Sequence, residues 1–313
     1  MELQTILEMI LFLLFLFVQL SDATVSRGFQ GFCLDEGFDV TIFRLDLAPQ
    51  GSFGGGNNSK ARETGKNPVV FIHGPTSYAG HLQFITDQFK QVGYTESELY
   101  GTTYGEKKDV FETTQPNLYC SYVKLQRDFI KAVAKYTQRP VDVLAFSVGA
   151  VIARKAILGG TCAESDENLG EPLTATVRNF ISVGGPHHGR AACNNEGCDQ
   201  LIGLWCHSKF IADLKDKLHY EGSRTISLWS SHDDYIGYKV CDGEPTAQIE
   251  QSDVALEIPD LSHQQLIWFI TPLLIDLING KNVTKEDAAK AAFKALLEFN
   301  KNPRPWPYSS RNF

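Results

Sequence analysis

Four Ser-x-Gly triplets occur in this chain of 313 residues, ending at Gly28, Gly54, Gly149 and Gly184. Only Ser147 has the surroundings that a nucleophile needs. The apolar run Val141–Phe146 precedes it, and the helix-forming run Val148–Leu158 follows. A serine at such a strand-to-helix turn sits on strained backbone, its hydroxyl presented at the strand's C-terminal end. The backbones there approach closely, so the positions two before and two after must be small; Ala145 and Gly149 meet that need. Ser182 competes within Ile181-Ser182-Val183-Gly184-Gly185, but Pro186 comes next and no helix can start promptly.

A serine hydroxyl needs a base to take its proton and an acid to orient that base. On this kind of turn the order along the chain is serine, then acid, then histidine. The run Thr225–Ser230 reads as a buried strand and ends in Ser231-His232-Asp233-Asp234. Beyond it the chain holds one histidine, His263. Asp233 is preferred as the acid because it comes first after the strand; Asp234 is the alternative, and Asp260 reads as a turn or cap residue. The chemistry of such a set is acyl transfer. Ser147 attacks a carbonyl, His263 accepts its proton and returns it to the leaving alcohol, and Asp233 fixes the imidazole tautomer.

The developing oxyanion needs N–H donors. Val148, directly after the nucleophile, supplies one. The second is expected from the loop His73-Gly74-Pro75-Thr76, where Pro75 has no N–H to give. Thr76, through its amide or hydroxyl, is the expected substitute. Loss of one such donor costs about 10²–10³ in turnover.

The elements that must position these residues alternate. Strand-like runs are Pro68–Ile72, Val141–Phe146, Asn179–Val183, Thr225–Ser230 and Val254–Ile258. Helix-like runs are His81–Val92, Tyr122–Tyr136, Val148–Leu158 and Gln264–Ile278, with a last helix over Thr284–Phe299. Continuously apolar strands imply burial on both faces. The alternation predicts an α/β fold, a mostly parallel central sheet with helices on both faces, in one domain. Gly51–Ser59 reads as a flexible loop without the lysine of a phosphate-binding loop. The region Gly189–Tyr220 carries an apolar stripe at Phe210, Leu214 and Leu218. Its helical spacing suits either a helix covering the sheet or a lid and acyl-chain wall.

Composition narrows the class. With 37 acidic against 29 basic residues the formal charge is −8, which does not suit nucleic acid binding. Hydrophobic residues at 43% and aromatic ones at 11% are a globular profile. Met9–Leu20 is almost continuously apolar but too short to span a bilayer, and Ser21-Asp22-Ala23 follows it. This predicts a signal peptide over residues 1–23 and export of the remaining 290. The charge then becomes −5, because Glu2, Glu8 and Asp22 leave with the leader. All seven cysteines lie beyond the cut and read as disulfides with one left over, the pairing open. Asn57 and Asn282 head glycosylation sequons. A zinc site on Cys193, Cys198 and Cys206 with His207 or His188 ranks low without a CxxC pair. In Gly184-Gly185-Pro186-His187-His188-Gly189, the two histidines read as braces of a tight turn rather than as metal ligands. No cofactor and no obligate protein partner is implied.

Val69-Val70-Phe71-Ile72-His73-Gly74, Ala145-Phe146-Ser147-Val148-Gly149, the Gly184–Gly189 loop, and Ser230-Ser231-His232-Asp233 with Ser262-His263 occur in order. Together they resemble the class 2 lipases, over about residues 60 to 280, with Tyr100-Gly101-Thr102-Thr103-Tyr104-Gly105 adding to the likeness. The resemblance implies an α/β-hydrolase fold and secreted triacylglycerol lipase or carboxylesterase activity through Ser147, Asp233 and His263. It implies a lipid ester as substrate and transient contact with a lipid interface. The family would draw its first oxyanion donor from the residue after His-Gly, where this chain has Pro75. Two other functions stay open on the residues: a thioesterase or phospholipase, and a lipid-binding protein of the same fold with weak catalysis.

Overall fold

The structure, a computed structural model, describes residues 25–56, 65–106, 116–193, 198–215 and 217–301. The leader expected over 1–23 and the sequon at Asn57 lie outside these. No described helix is long and apolar enough to cross a membrane.

A seven-stranded sheet organises the chain, built from β1 (Ser52–Phe53), β2 (Val69–Ile72), β3 (Leu99–Thr102), β4 (Val141–Phe146), β5 (Val177–Val183), β6 (Arg224–Trp229) and β9 (Val254–Glu257). The strand order is β1-β3-β2-β4-β5-β6-β9, with β1 antiparallel and every other pairing parallel. A small antiparallel pair, β7 (Lys239–Val240) and β8 (Glu244–Pro245), stands apart. The helices are α1 (Arg27–Asp35), α2 (Gln83–Gln91), α3 (Cys120–Thr137), α4 (Val148–Leu158), α5 (Lys209–Lys215), α6 (His263–Phe269), α7 (Thr271–Ile278) and α8 (Lys285–Lys301).

Successive strand side chains point to opposite faces, and both faces are packed. Val70 and Ile72 join Val141, Val143 and Ala145 in a core with α1, α3, α4 and α5. Val69 and Phe71 join Leu144 and Phe146 in a second core with α2, α6, α7 and α8. Burial on two sides is why these strands read as unbroken apolar runs.

Four expectations need correction. Gly51–Ser59 is not simply a loop, because Ser52–Phe53 forms the edge strand β1; residues 57–59 are outside the described set. The helix expected over Gln264–Ile278 is two helices that divide at Ile270. Pro272 cannot donate to a carbonyl four residues earlier, so it opens a new helix instead of continuing the old one. The start of the His81–Val92 helix is a 3₁₀ turn over Ala79–Leu82. The stripe in 189–220 ends early: Phe210 and Leu214 are buried in α5, whereas Leu218 lies beyond the helix and is 41% exposed. Phe210, Ile211 and Leu214 belong to the first core, where α5 packs against α4.

The cysteines pair as Cys120–Cys162, Cys193–Cys198 and Cys206–Cys241, leaving Cys33 buried and free. Cys193, Cys198 and Cys206 therefore have no thiolates to offer a zinc ion.

Candidate active site

The site lies at the C-terminal ends of the parallel strands. There β4 turns directly into α4, and Ser147 is the turn, with φ +58° and ψ −134°. This conformation is costly for a residue with a side chain. It is held by the Ser147 N–H, which donates to the Val183 carbonyl at 2.9 Å. A Cβ at Gly149 would lie 2.1 Å from the His73 carbonyl oxygen, so the +2 position admits only glycine. The same crowding brings Gly74 against Ser147, where an added Cβ would lie 3.1 Å from the serine Cβ.

The loop after β6 and the start of α6 bring the other two residues to Ser147. His263 Nε2 lies 2.8 Å from Ser147 Oγ, and His263 Nδ1 lies 2.6 Å from Asp233 Oδ2. A carboxylate only accepts, so Nδ1 carries the proton and Nε2 is free to accept from the serine hydroxyl. Asp233 Oδ1 accepts the Tyr235 and Ile236 amides at 3.0 and 2.9 Å. Those bonds aim the second oxygen at the imidazole. All three side chains are buried.

Asp234 also holds His263, but by the backbone: its Oδ1 accepts the His263 N–H at 3.0 Å. Ser262 caps α6, and its N–H donates back to Gln265 Oε1 at 2.9 Å. Asp260 stands in a left-handed turn with an exposed side chain, as a turn residue would.

Aromatic rings flank the imidazole, with Phe146 4.8 Å and Tyr235 5.0 Å from it. On Tyr235 sits the Arg190 guanidinium, 4.0 Å from the ring centre, and Arg190 Nε donates to the Tyr235 carbonyl at 2.9 Å. These neighbours were not legible in the sequence, since 146, 190 and 235 meet only in the fold. Phe146 alone carried a signal, as the residue beside Ser147.

Val148 opens α4, so its N–H has no helical acceptor and lies at the positive end of the helix dipole. It lines a cleft together with His73, Pro75, Thr76 and Tyr104. Thr76 is exposed at φ +53°, an unusual conformation for a β-branched residue. His73 accepts the Tyr104 N–H at Nε2 (3.2 Å), so its Nδ1 is the protonated nitrogen and donates to the Gly74 carbonyl at 2.6 Å. Burial holds the His73 imidazole down at about 3, which keeps it in that neutral form.

His187 and His188 brace the turn after β5. His187 Nε2 lies 2.7 Å from Ser182 Oγ, and His188 Nε2 lies 2.9 Å from the Gln248 carbonyl. Burial lowers both imidazoles, His187 strongly. Ser182 lies buried within β5 and not at a strand-to-helix turn, so it lacks the setting that presents Ser147.

A mostly parallel sheet with a serine on the turn between a central strand and its following helix defines an α/β-hydrolase. The family model of the lipases of class 2 matches residues 66–272. That is well over half of the sequence: the chain belongs to the class 2 lipase family and is a carboxylic ester hydrolase, with lipid esters as its substrate class. Among solved structures it is similar to the mature Bacillus licheniformis lipase BlEst2, at 14% identity and a TM-score of 0.48, over 68% of this chain and 92% of that one. It is also similar to Aspergillus fumigatus lipase B, at 14% identity and a TM-score of 0.48, over 76% of this chain and 62% of that one. A third, the Paleococcus ferrophilus monoacylglycerol lipase, shares 9% identity with a TM-score of 0.46, over 72% and 96% of the two chains. No curated protein matches the chain.

Proposed function

We propose that this protein is an exported lipase that cleaves lipid esters through Ser147, His263 and Asp233 by way of an acyl-enzyme. One observation carries the proposal: the unbroken line from Asp233 through His263 to Ser147, at 2.6 and 2.8 Å. Ser147 Oγ adds to the ester carbonyl while its proton passes to His263 Nε2. The carbonyl π pair moves onto oxygen, where the Val148 N–H and Thr76 receive the charge. Asp233 stabilises the imidazolium formed in that step. Collapse of the adduct expels the alcohol, which takes the proton from His263 and leaves the acyl group on Ser147. Water, deprotonated by His263, then releases the fatty acid and restores the serine.

Export in an oxidising compartment is supported by three disulfides and by the apolar leader. Asn282 is exposed between α7 and α8, where a glycan can be accommodated. The mature protein then starts at Thr24, a single catalytic domain.

The test uses protein collected from the medium of cells expressing the full chain. Its N-terminus is expected at Thr24, and a fluorophosphonate probe is expected to label Ser147. Ser147→Ala should remove both labelling and hydrolysis of glycerides. Folded protein that takes no label, or hydrolysis unchanged in Ser147→Ala, would refute the serine mechanism. Faster turnover of thioesters than of matched oxygen esters would instead make it a thioesterase.

A further inference from the structure

Tyr104 follows β3 by two positions and shares the cleft wall with Val148. It is 6% exposed, and its hydroxyl has no hydrogen-bond partner among the described residues. Protein interiors rarely leave a hydroxyl in that condition. Of the buried side-chain polar atoms without a partner among the described residues, this is the one borne by a residue of the cleft.

The hydroxyl is also held in place. The Tyr104 ring stacks on His73 with centroids 4.3 Å apart and planes 3° from parallel. The Tyr104 N–H is fastened to the same imidazole, and Tyr122 packs 5.6 Å from the ring. Burial, and then the neighbouring Tyr235 and Tyr122 hydroxyls, raise the Tyr104 phenol well above its ordinary value, so it stays a proton donor. Val148, which lines the same cleft, directly follows Ser147, so the cleft that Tyr104 walls reaches the turn carrying the serine.

We propose that the Tyr104 hydroxyl is an oxyanion donor, standing in for the backbone amide that Pro75 cannot provide. The inference rests on Ser147 as nucleophile and His263 as base. When Ser147 Oγ bonds to the ester carbon and its proton moves to His263, the electron pair of the C=O bond collects on oxygen. The Tyr104 O–H donates to that oxygen together with the Val148 N–H, and the phenol keeps its proton throughout. Thr76 serves the same charge from the exposed rim. Tyr104 serves it from the buried wall, where a hydrogen bond to an anion is stronger.

The test is Tyr104→Phe, which keeps the ring stacked on His73 and removes only the hydroxyl. Three quantities are measured: kcat/KM on a soluble ester, affinity for an alkyl trifluoromethyl ketone, and the thermal midpoint. The ketone is added to by the serine and forms a tetrahedral oxyanion adduct, so it reads oxyanion stabilisation separately from substrate binding. The expected result is a midpoint unchanged or higher, with kcat/KM lower by about 10²–10³ and ketone affinity weakened to match. Three results overturn the proposal: a loss of activity smaller than tenfold, a loss without weaker ketone binding, or a lowered thermal midpoint. Ser147→Ala, assayed in parallel, separates the two ideas. If it is inactive while Tyr104→Phe is fully active, the serine mechanism stands and the Tyr104 role falls. If it stays active, the serine mechanism itself falls.

Discussion

Two adjacent carboxylates hold His263, and they hold different parts of it. Asp233 grips the ring through Nδ1, whereas Asp234 accepts the backbone N–H at the start of α6. Replacing Asp233 with Asn removes the charge that faces the imidazolium. The amide can also donate to Nδ1, which moves the ring proton to Nε2 and leaves no acceptor for the serine. Asp233→Asn is therefore expected to lower kcat by about 10⁴ with little change in KM. Asn at 234 still offers an oxygen to the His263 N–H, so Asp234→Asn should lose less than tenfold. Steady-state hydrolysis of a soluble ester by both variants checks this, and the opposite ranking would move the acid's role to Asp234. The sequence could not separate the two because the choice depends on how the turn closes. The Tyr235 and Ile236 amides bind one oxygen of Asp233 and so turn the other toward the ring.

At the level of elements, the β4–α4 turn is the part most constrained by sterics. A Cβ at residue 149 would sit 2.1 Å from the His73 carbonyl and 3.0 Å from Ile72, both fixed in or beside the central sheet. Gly149→Ala is expected to lower stability by about 1–3 kcal/mol, from overpacking against backbone, and to displace Ser147 enough to cut activity at least tenfold. Urea unfolding and an ester assay on the same preparation check both halves. A variant of full stability and activity would mean that the turn can open. This close packing is also why the turn was legible: it restricts residue type at two positions around one serine. By contrast, β3 carries Gly101 and two polar or amphipathic neighbours in a four-residue stretch, so it offered no apolar run. Its glycine is there for Phe53, whose ring lies 2.5 Å from where a Cβ would stand. The fold was readable wherever a buried strand is also an unbroken apolar run. It was unreadable at β1 and β3, which are buried as well but whose side chains are chosen by one specific neighbour. The aromatic walls of the site were unreadable for the same reason, since Tyr104 meets His73 and Tyr235 meets His263 across long separations in sequence.

For the molecule as a whole, packing histidines around the site has a consequence for its pH range. Burial lowers His73 to about 3 and His81 to about 4, and it lowers His187 and His188 as well. In the unfolded chain each of these imidazoles takes a proton near its ordinary value of about 6.5. Between that value and the depressed folded one, unfolding binds protons, so stability rises with pH across the window and is lost as pH falls through it. About a pH unit above 6.5 both states are neutral at these positions and the contribution is complete. A buried imidazole that stays neutral while its unfolded counterpart is protonated adds a slope of up to about 1.4 kcal/mol per pH unit, and His73 and His187 both act in this direction. His81 adds to this in the same direction, but less, because it is partly solvated. Asp142 works the opposite way: burial raises its carboxyl against the pull of Arg178 and Asn179, so the folded state gains from its protonation at low pH. Four histidines outweigh one carboxyl. The free energy of unfolding, from urea titrations at pH 8.0, 7.0, 6.0 and 5.0, is expected to change little from 8.0 to 7.0 and to fall progressively below 7, with protons taken up on unfolding at pH 5. A free energy that stays constant down to pH 5 would mean that these imidazoles accept protons without leaving their places, and the braced turns at His73 and His187 would then be far looser than their hydrogen bonds suggest.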